Sequence, residues 1–182
     1  MTRAALLRTA AAVLVAGALA VSATLIFLAA SAETPPAAVG SGHVTVWDEQ
    51  DPEVANLDAD LLSALRDAAS DAEADGIRFN VNSGWRTPED QQRLLDEAVV
   101  RYGSEAEAAR WVASPQTSAH VSGDAVDIGS TDAVLWLADH GARYGLCQVY
   151  ENEPWHFELR TDAASVGCPR TYHDPTHDPR MG

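Results

Sequence analysis

"TSAHVSGDAVDIGS", Thr117 to Ser130, places His120, Asp124 and Asp127 among Ser and Gly where no amphipathic period can be read. One reading is a solvated loop that leads into a short strand, "DAVDIG". The other is half of a metal site, and it requires partners elsewhere in the chain. Gly123 would let the backbone turn back between His120 and Asp127, and Ala125 would leave room beside an ion.

Downstream of this stretch, "TDAVLWLADHGARYG" reads as a helix, and "LCQVY" and "WHFELR" read as two closing strands. Upstream, Ser104 with Glu107 three residues later forms a capping box for a helix over "EAEAARWVA". Thr87-Pro88 supplies an N-cap and a first-turn proline for a helix that runs to Gly103. "IRFNVNS" alternates Ile77, Phe79 and Val81, as a half-buried strand does. Leu61, Leu62, Leu65, Ala68, Ala69 and Ala72 recur at helical spacing between Asp58 and Asp75, and Gly76 ends that helix. Helices mixed with short strands, without regular βαβ alternation, predict an α+β fold with a small antiparallel sheet flanked by helices.

Partners for His120 lie in "ENEPWHFE", Glu151 to Glu158. If Glu153-Pro154-Trp155-His156 forms a turn with proline second, its first and fourth residues approach within about 7 Å. A regular strand would instead send them to opposite faces. His120, Asp127 and His156 then supply two imidazoles and a carboxylate, a set that suits catalytic zinc, with ligand distances of roughly 2.0 to 2.2 Å and a fourth position left to water. Zinc lowers the pKa of bound water to about 7, but the attacking water still needs a proton acceptor. Glu153 fits that role and could pass the proton on to a leaving amine. Asp124 is read as a solvated loop acid, because the other three complete the set.

The 182 residues suffice for one core but not for two ordinary domains. Against 27 acids stand 12 basic residues, all Arg, for a net charge of -15. Such a surface repels phosphate backbones and argues against nucleic-acid binding. Residues 1–32 read as a signal peptide or an N-terminal membrane anchor: Arg3 and Arg8 precede an uncharged run from Thr9 that ends in Ala30-Ser31-Ala32. Either reading leaves the rest of the chain outside the cytoplasm, held to the membrane by the N-terminal segment if that is not cleaved, or secreted. Residues 33–43 form a Pro/Gly/Ser linker, 44–170 the folded domain, and 171–182 a mobile tail in which prolines keep His173 and His177 from aligning on a helix. Outside a reducing cytosol, Cys147 and Cys168 are expected to form a disulfide. Closing that loop would stabilise the domain by about 3 kcal/mol.

These motifs carry a family resemblance. "SAHVSGDAVD" resembles the Ser-x-His-x-x-Gly-x-Ala-x-Asp motif of zinc D-alanyl-D-alanine carboxypeptidases of the VanY and M15 peptidase type. "EPWHFE" resembles their Glu-x-x-His motif, and "SGWRT", Ser83 to Thr87, a third segment. The likeness covers roughly Val44 to Arg160. It implies a hedgehog/DD-peptidase-like fold, one zinc ion, and hydrolysis of peptides in peptidoglycan stems, read here as removal of the terminal D-alanine; a monomer is expected. Carried over by position, it implies His120, Asp127 and His156 as ligands, Glu153 as base, and Arg86 as the group that meets the substrate's terminal carboxylate. Ser118 and Gln91 match accessory positions that help hold the peptide, and Trp155, set between two proposed catalytic residues, is placed to touch it. The segment between "YGLCQVY" and "EPWHFE" is shorter than the hairpin loop of many relatives, which bears on selectivity. The cysteines are not part of the general pattern. Alternatives are an L,D-carboxypeptidase or cell-wall endopeptidase on the same scaffold, or a zinc-containing wall-binding module without turnover.

Overall fold

In the computed structural model, which describes residues 43–181, the strand that follows His120 becomes the middle of a five-stranded antiparallel sheet. The strands are β1 (Val44–Thr45), β2 (Asn80–Ser83), β3 (Ala125–Gly129), β4 (Leu146–Gln148) and β5 (His156–Leu159), in spatial order β1-β2-β3-β5-β4. Helices α1 (Pro52–Ala55), α2 (Ala59–Ala74), α3 (Pro88–Tyr102), α4 (Glu105–Ala108), α5 (Ala119–Ser122), α6 (Thr131–His140) and α7 (Ala163–Val166) accompany it. The α+β class, with its antiparallel sheet and flanking helices, is the architecture observed.

Strand register separates core from site. β3 pairs Val126 with Phe157 and, one residue on, Asp127 with His156. Successive residues of a strand point to opposite faces, so the two pairs part company. Val126, Ile128 and Phe157 enter a core with Leu61 and Leu65 of α2, Trp136 and Leu137 of α6, and Phe79 and Val81. Burying each such Leu contributes roughly 1.5–3 kcal/mol. Asp127 and His156 are left together on the other face.

Caps define the helices as their sequences require. The Asp58 carboxylate accepts from the N–H groups of Asp60 and Leu61 at the start of α2, and Gly76 (φ +77°) follows its end. Thr87 caps α3 through the N–H of Asp90, with Pro88 in the first turn and Gly103 in the left-handed conformation after the last.

Several expectations need correction. The Ser/Gly stretch is not an open loop: residues 119–122 form the turn α5, closed by Gly123 at φ +85°. The strand expected over 77–83 begins only at Asn80, and it shifts register between Val81 and Ser83. The helix capped by Ser104 stops at Ala108, and the one expected over 131–145 tightens into a 3-10 turn at Gly141–Tyr144. Residues 171–181 are not a free tail. Tyr172 bridges to Tyr150, two 3-10 turns follow (Pro175–His177 and Pro179–Met181), and Asp174 and Asp178 are buried. The packed unit thus extends beyond residue 170. Composition misled here, because ion pairs rather than apolar side chains hold this segment: Arg110 Nε donates to Asp174 at 3.0 Å, and Arg180 Nη1 donates to Glu158 at 2.6 Å. The expected disulfide between Cys147 and Cys168 is present. The leader and nearly all of the linker lie outside the described residues.

Candidate metal and catalytic site

Three elements bring the sequence-predicted donors together. α5 carries His120, β3 carries Asp127, and β5 opens on His156 directly opposite Asp127. The anticipated turn forms: the N–H of His156 donates to the carbonyl of Glu153 at 3.0 Å, so Glu153 precedes the strand and escapes its alternation. On the far side of β3, Asp127 pairs with Ser83, the first residue of the "SGWRT" segment.

Hydrogen bonds at the rear of each imidazole settle which nitrogen faces inward. His120 Nδ1 lies 2.8 Å from the carbonyl oxygen of Gly84, which can only accept, so Nδ1 carries the proton and Nε2 presents its lone pair. His156 Nε2 lies 3.3 Å from Glu158 Oε1, leaving Nδ1 inward. The three inward atoms are His120 Nε2, His156 Nδ1 and Asp127 Oδ1, separated by 3.2, 3.1 and 3.4 Å. Donors about 2.0–2.1 Å from a tetrahedral zinc stand roughly 3.3 Å apart, so the triangle fits that ion. Two imidazole nitrogens and a carboxylate oxygen this close call for a metal ion or a shared proton between them. The residues His120, Asp127 and His156 can therefore hold a metal.

Without a metal the two imidazoles differ: burial opposes a charge on His156, but its contacts with Asp127 and Glu158 raise its pKa to about 9, so a metal would have to displace that proton. Burial lowers the His120 pKa. Burial opposes ionisation of Asp127, but the adjacent imidazoles hold its carboxyl well below the usual range. Glu153 differs from both: burial pushes its pKa up to about 7, and its Oε1 is buried without a hydrogen-bond partner among the described residues. A carboxylate left unpaired in a cleft, with a proton affinity near neutrality, is suited to exchange protons with a bound molecule.

The cleft encloses about 250 Å³ and is lined by His120, Asp127, Glu153, His156, Arg86 and Trp155, among others. Arg86 is desolvated, which lowers its pKa; its Nη2 donates to Ser83 Oγ at 2.6 Å and lies 4.0 Å from Asp127 Oδ2. Ser118 and Gln91 also reach the wall, but they engage each other: the Ser118 hydroxyl donates to Gln91 Oε1 at 3.1 Å, and Gln91 Nε2 donates to the Ala113 carbonyl at 2.7 Å. Trp155 remains 40% exposed at the rim, as do Trp111 at 39% and Tyr102 at 37%, whose rings stack at 5.7 Å. Asp124 is exposed and accepts from Ser122 Oγ, away from the triangle. A larger cavity of about 610 Å³ adjoins, sharing Val112, Ala113, Pro175 and Met181, but it holds none of the three donors.

Sequence reading missed the supports. Glu53 of α1 accepts from the Gly84 N–H through Oε2 and from the Trp85 N–H through its carbonyl, pinning the turn that carries Arg86. No local pattern marks it. Glu158 was legible, since a residue two beyond His156 on a strand shares its face.

Fold and site together define an α+β chain whose antiparallel sheet carries a buried His/Asp/His triangle that fits a zinc ion. A structure of the vancomycin resistance D,D-pentapeptidase VanY, a mutant in complex with Zn(II), superposes with a TM-score of 0.56 at 33% identity, over 60% of this chain and 76% of that one. A structure of VanYB in complex with D-alanine-D-alanine matches equally well, with TM-score 0.56 and 33% identity over 60% and 75% of the two chains. The LD-carboxypeptidase LdcB gives a TM-score of 0.57 at 26% identity over 68% of both. By sequence, a D-alanyl-D-alanine carboxypeptidase of Enterococcus faecalis is 35% identical over 126 residues, 56% of this chain and 47% of the relative. The chain spans about half the length of the curated relatives it matches. The VanY family model, described as D-alanyl-D-alanine carboxypeptidase, matches residues 54–161, more than half of the chain. The chain belongs to the VanY family.

Proposed function

We propose that this protein is a zinc carboxypeptidase that removes the terminal D-alanine from peptidoglycan stem peptides outside the cytoplasm. One ion would be held by His120 Nε2, Asp127 Oδ1 and His156 Nδ1. Bound there, zinc would supply Lewis acidity to the scissile carbonyl and lower the pKa of the attacking water. Glu153 takes one proton from that water as its oxygen bonds to the carbonyl carbon, then delivers it to the amine as the C–N bond breaks. Arg86, with its planar guanidinium facing the cleft, pairs with the substrate's terminal carboxylate. Trp155 walls the peptide at the rim, while Ser118 and Gln91 brace one side of the cleft. The observation that carries this reading is the buried Oε1 of Glu153, without a hydrogen-bond partner among the described residues, in the cleft that the His/Asp/His triangle also lines. A pure binding module has no need of such a base. The N-terminal segment, as an anchor or a removed leader, would deliver the enzyme to the wall.

Likeness to LdcB supports a second reading, hydrolysis of an L,D bond on the same scaffold. The test is release of free D-alanine by the zinc-loaded protein from two stem peptides, one ending in D-Ala-D-Ala and one whose terminal D-alanine follows an L-centre. Release from the first alone, abolished in Glu153→Ala while zinc is retained, is expected. Release from the second alone would transfer the assignment to an L,D-carboxypeptidase. Release from neither, with zinc bound, would leave a non-catalytic binder or an endopeptidase.

A further inference from the structure

The C-terminal segment reaches the back of the metal triangle. His156 turns Nδ1 to the ion site and leans Nε2 on Glu158, which is 2% exposed. A buried carboxylate needs a cation and hydrogen bonds, and the segment brings one. Arg180 grips both oxygens, Nη1 to Oε2 at 2.6 Å and Nη2 to Oε1 at 3.2 Å. Arg160 also contacts Glu158, but only Oε2, the oxygen turned away from His156. Arg180 is itself held: its Nε donates to Asp178 at 3.0 and 2.9 Å, and buried Asp178 accepts from Tyr150 Oη at 3.1 Å. The Tyr150 ring lies 5.3 Å from the His156 ring, so the contacts close a circuit around that imidazole.

We propose that Arg180 is a positioning residue for the metal site: through Glu158 it fixes the orientation of His156, so that residues 171–181, beyond the segment matched by the family, are part of the zinc-binding apparatus. This rests on the zinc reading above. Without Arg180, Glu158 keeps Arg160 but loses the bond that fixes the oxygen facing His156, and the imidazole gains rotational freedom. Partners of metal ligands at this remove typically alter metal affinity by about 10–100-fold.

The test uses the full chain, stripped of metal and titrated with zinc against a chromophoric chelator, with the visible spectrum of the Co²⁺ form as a second readout. Arg180→Gln should weaken zinc binding at least about 10-fold and change the cobalt spectrum, measured below the melting temperature of the metal-free variant. Arg180→Lys, which keeps the charge without the fork, should recover part of the affinity. Wild-type zinc affinity and an unchanged spectrum in Arg180→Gln, with only the melting temperature lowered, would reduce Arg180 to a structural fastener and overturn the proposal. If Arg180→Gln does not fold, Arg180→Lys and Tyr150→Phe decide it: weakened zinc binding in both supports the circuit, and unchanged binding in both overturns it. Failure of the wild-type chain to bind zinc would instead sink the metal reading itself.

Discussion

Glu153 has a raised proton affinity although, among the described residues, its buried Oε1 has no hydrogen-bond partner. Burial holds its carboxyl protonated up to about pH 7 against an ordinary 4.5 in the metal-free protein. The native state therefore binds a proton that the unfolded chain releases near 4.5. The contribution to stability is fully present below pH 4.5 and is lost as pH rises through about 7. Metal-free Glu153→Gln should accordingly exceed the metal-free wild type in stability by on the order of 2 kcal/mol at pH 8 and match it near pH 5. Urea denaturation at the two values checks this, and a pH-independent difference would refute the assignment. Arg86 makes a separate prediction at this scale. Arg86→Ala should cut kcat/KM on peptides with a free terminal carboxylate by about 10²-fold, the loss of a charge-assisted pair of roughly 3 kcal/mol, and spare amidated analogues. Equal losses on both peptides would remove Arg86 from carboxylate recognition.

Among the elements, the α5 turn governs where His120 points. Gly123 closes it at φ +85°, and its carbonyl accepts from the Asp58 N–H at the start of α2. A β-carbon at this position would stand 2.5 Å from the Asn56 carbonyl oxygen. Gly123→Ala thus combines a left-handed backbone, costing about 1–2 kcal/mol in an L-residue, with a collision against main chain that cannot swing aside. A loss of at least about 2 kcal/mol in unfolding free energy is expected, with weaker zinc binding as His120 is displaced. A change below about 0.5 kcal/mol would mean that the turn tolerates a side chain.

For the molecule as a whole, the disulfide ties β4 to the chain that leaves β5, enclosing the Glu153-His156 turn within the closed loop. Replacing both Cys147 and Cys168 by Ser should lower stability by about 3 kcal/mol through the entropy restored to the unfolded chain. If equilibrium unfolding finds the double variant within about 1 kcal/mol of the wild type, the loop-entropy account fails. The C-terminal segment and the disulfide thus both reinforce the β4–β5 end of the sheet, one by charge on Glu158 and one by covalent closure at Cys147.

Local chemistry determined much of this protein. Asp58, Thr87 and Ser104 cap the helices they precede because a short side-chain oxygen beside unpaired N–H groups needs no tertiary help. That His120, Asp127, His156 and Glu153 meet in one cleft was legible because their residue types and spacing suggested a common site, and because a proline turn brings Glu153 and His156 together within four residues. What lies far apart in sequence was settled only in three dimensions. Glu53 beneath Gly84, the α5 turn in place of a loop, and the seating of Arg180 on Glu158 all depend on packing between segments, and no periodicity records a contact made across such separations. The C-terminal segment makes the point most directly: its composition is that of a free tail, and only the buried carboxylates it meets give its arginine a reason to fold inward.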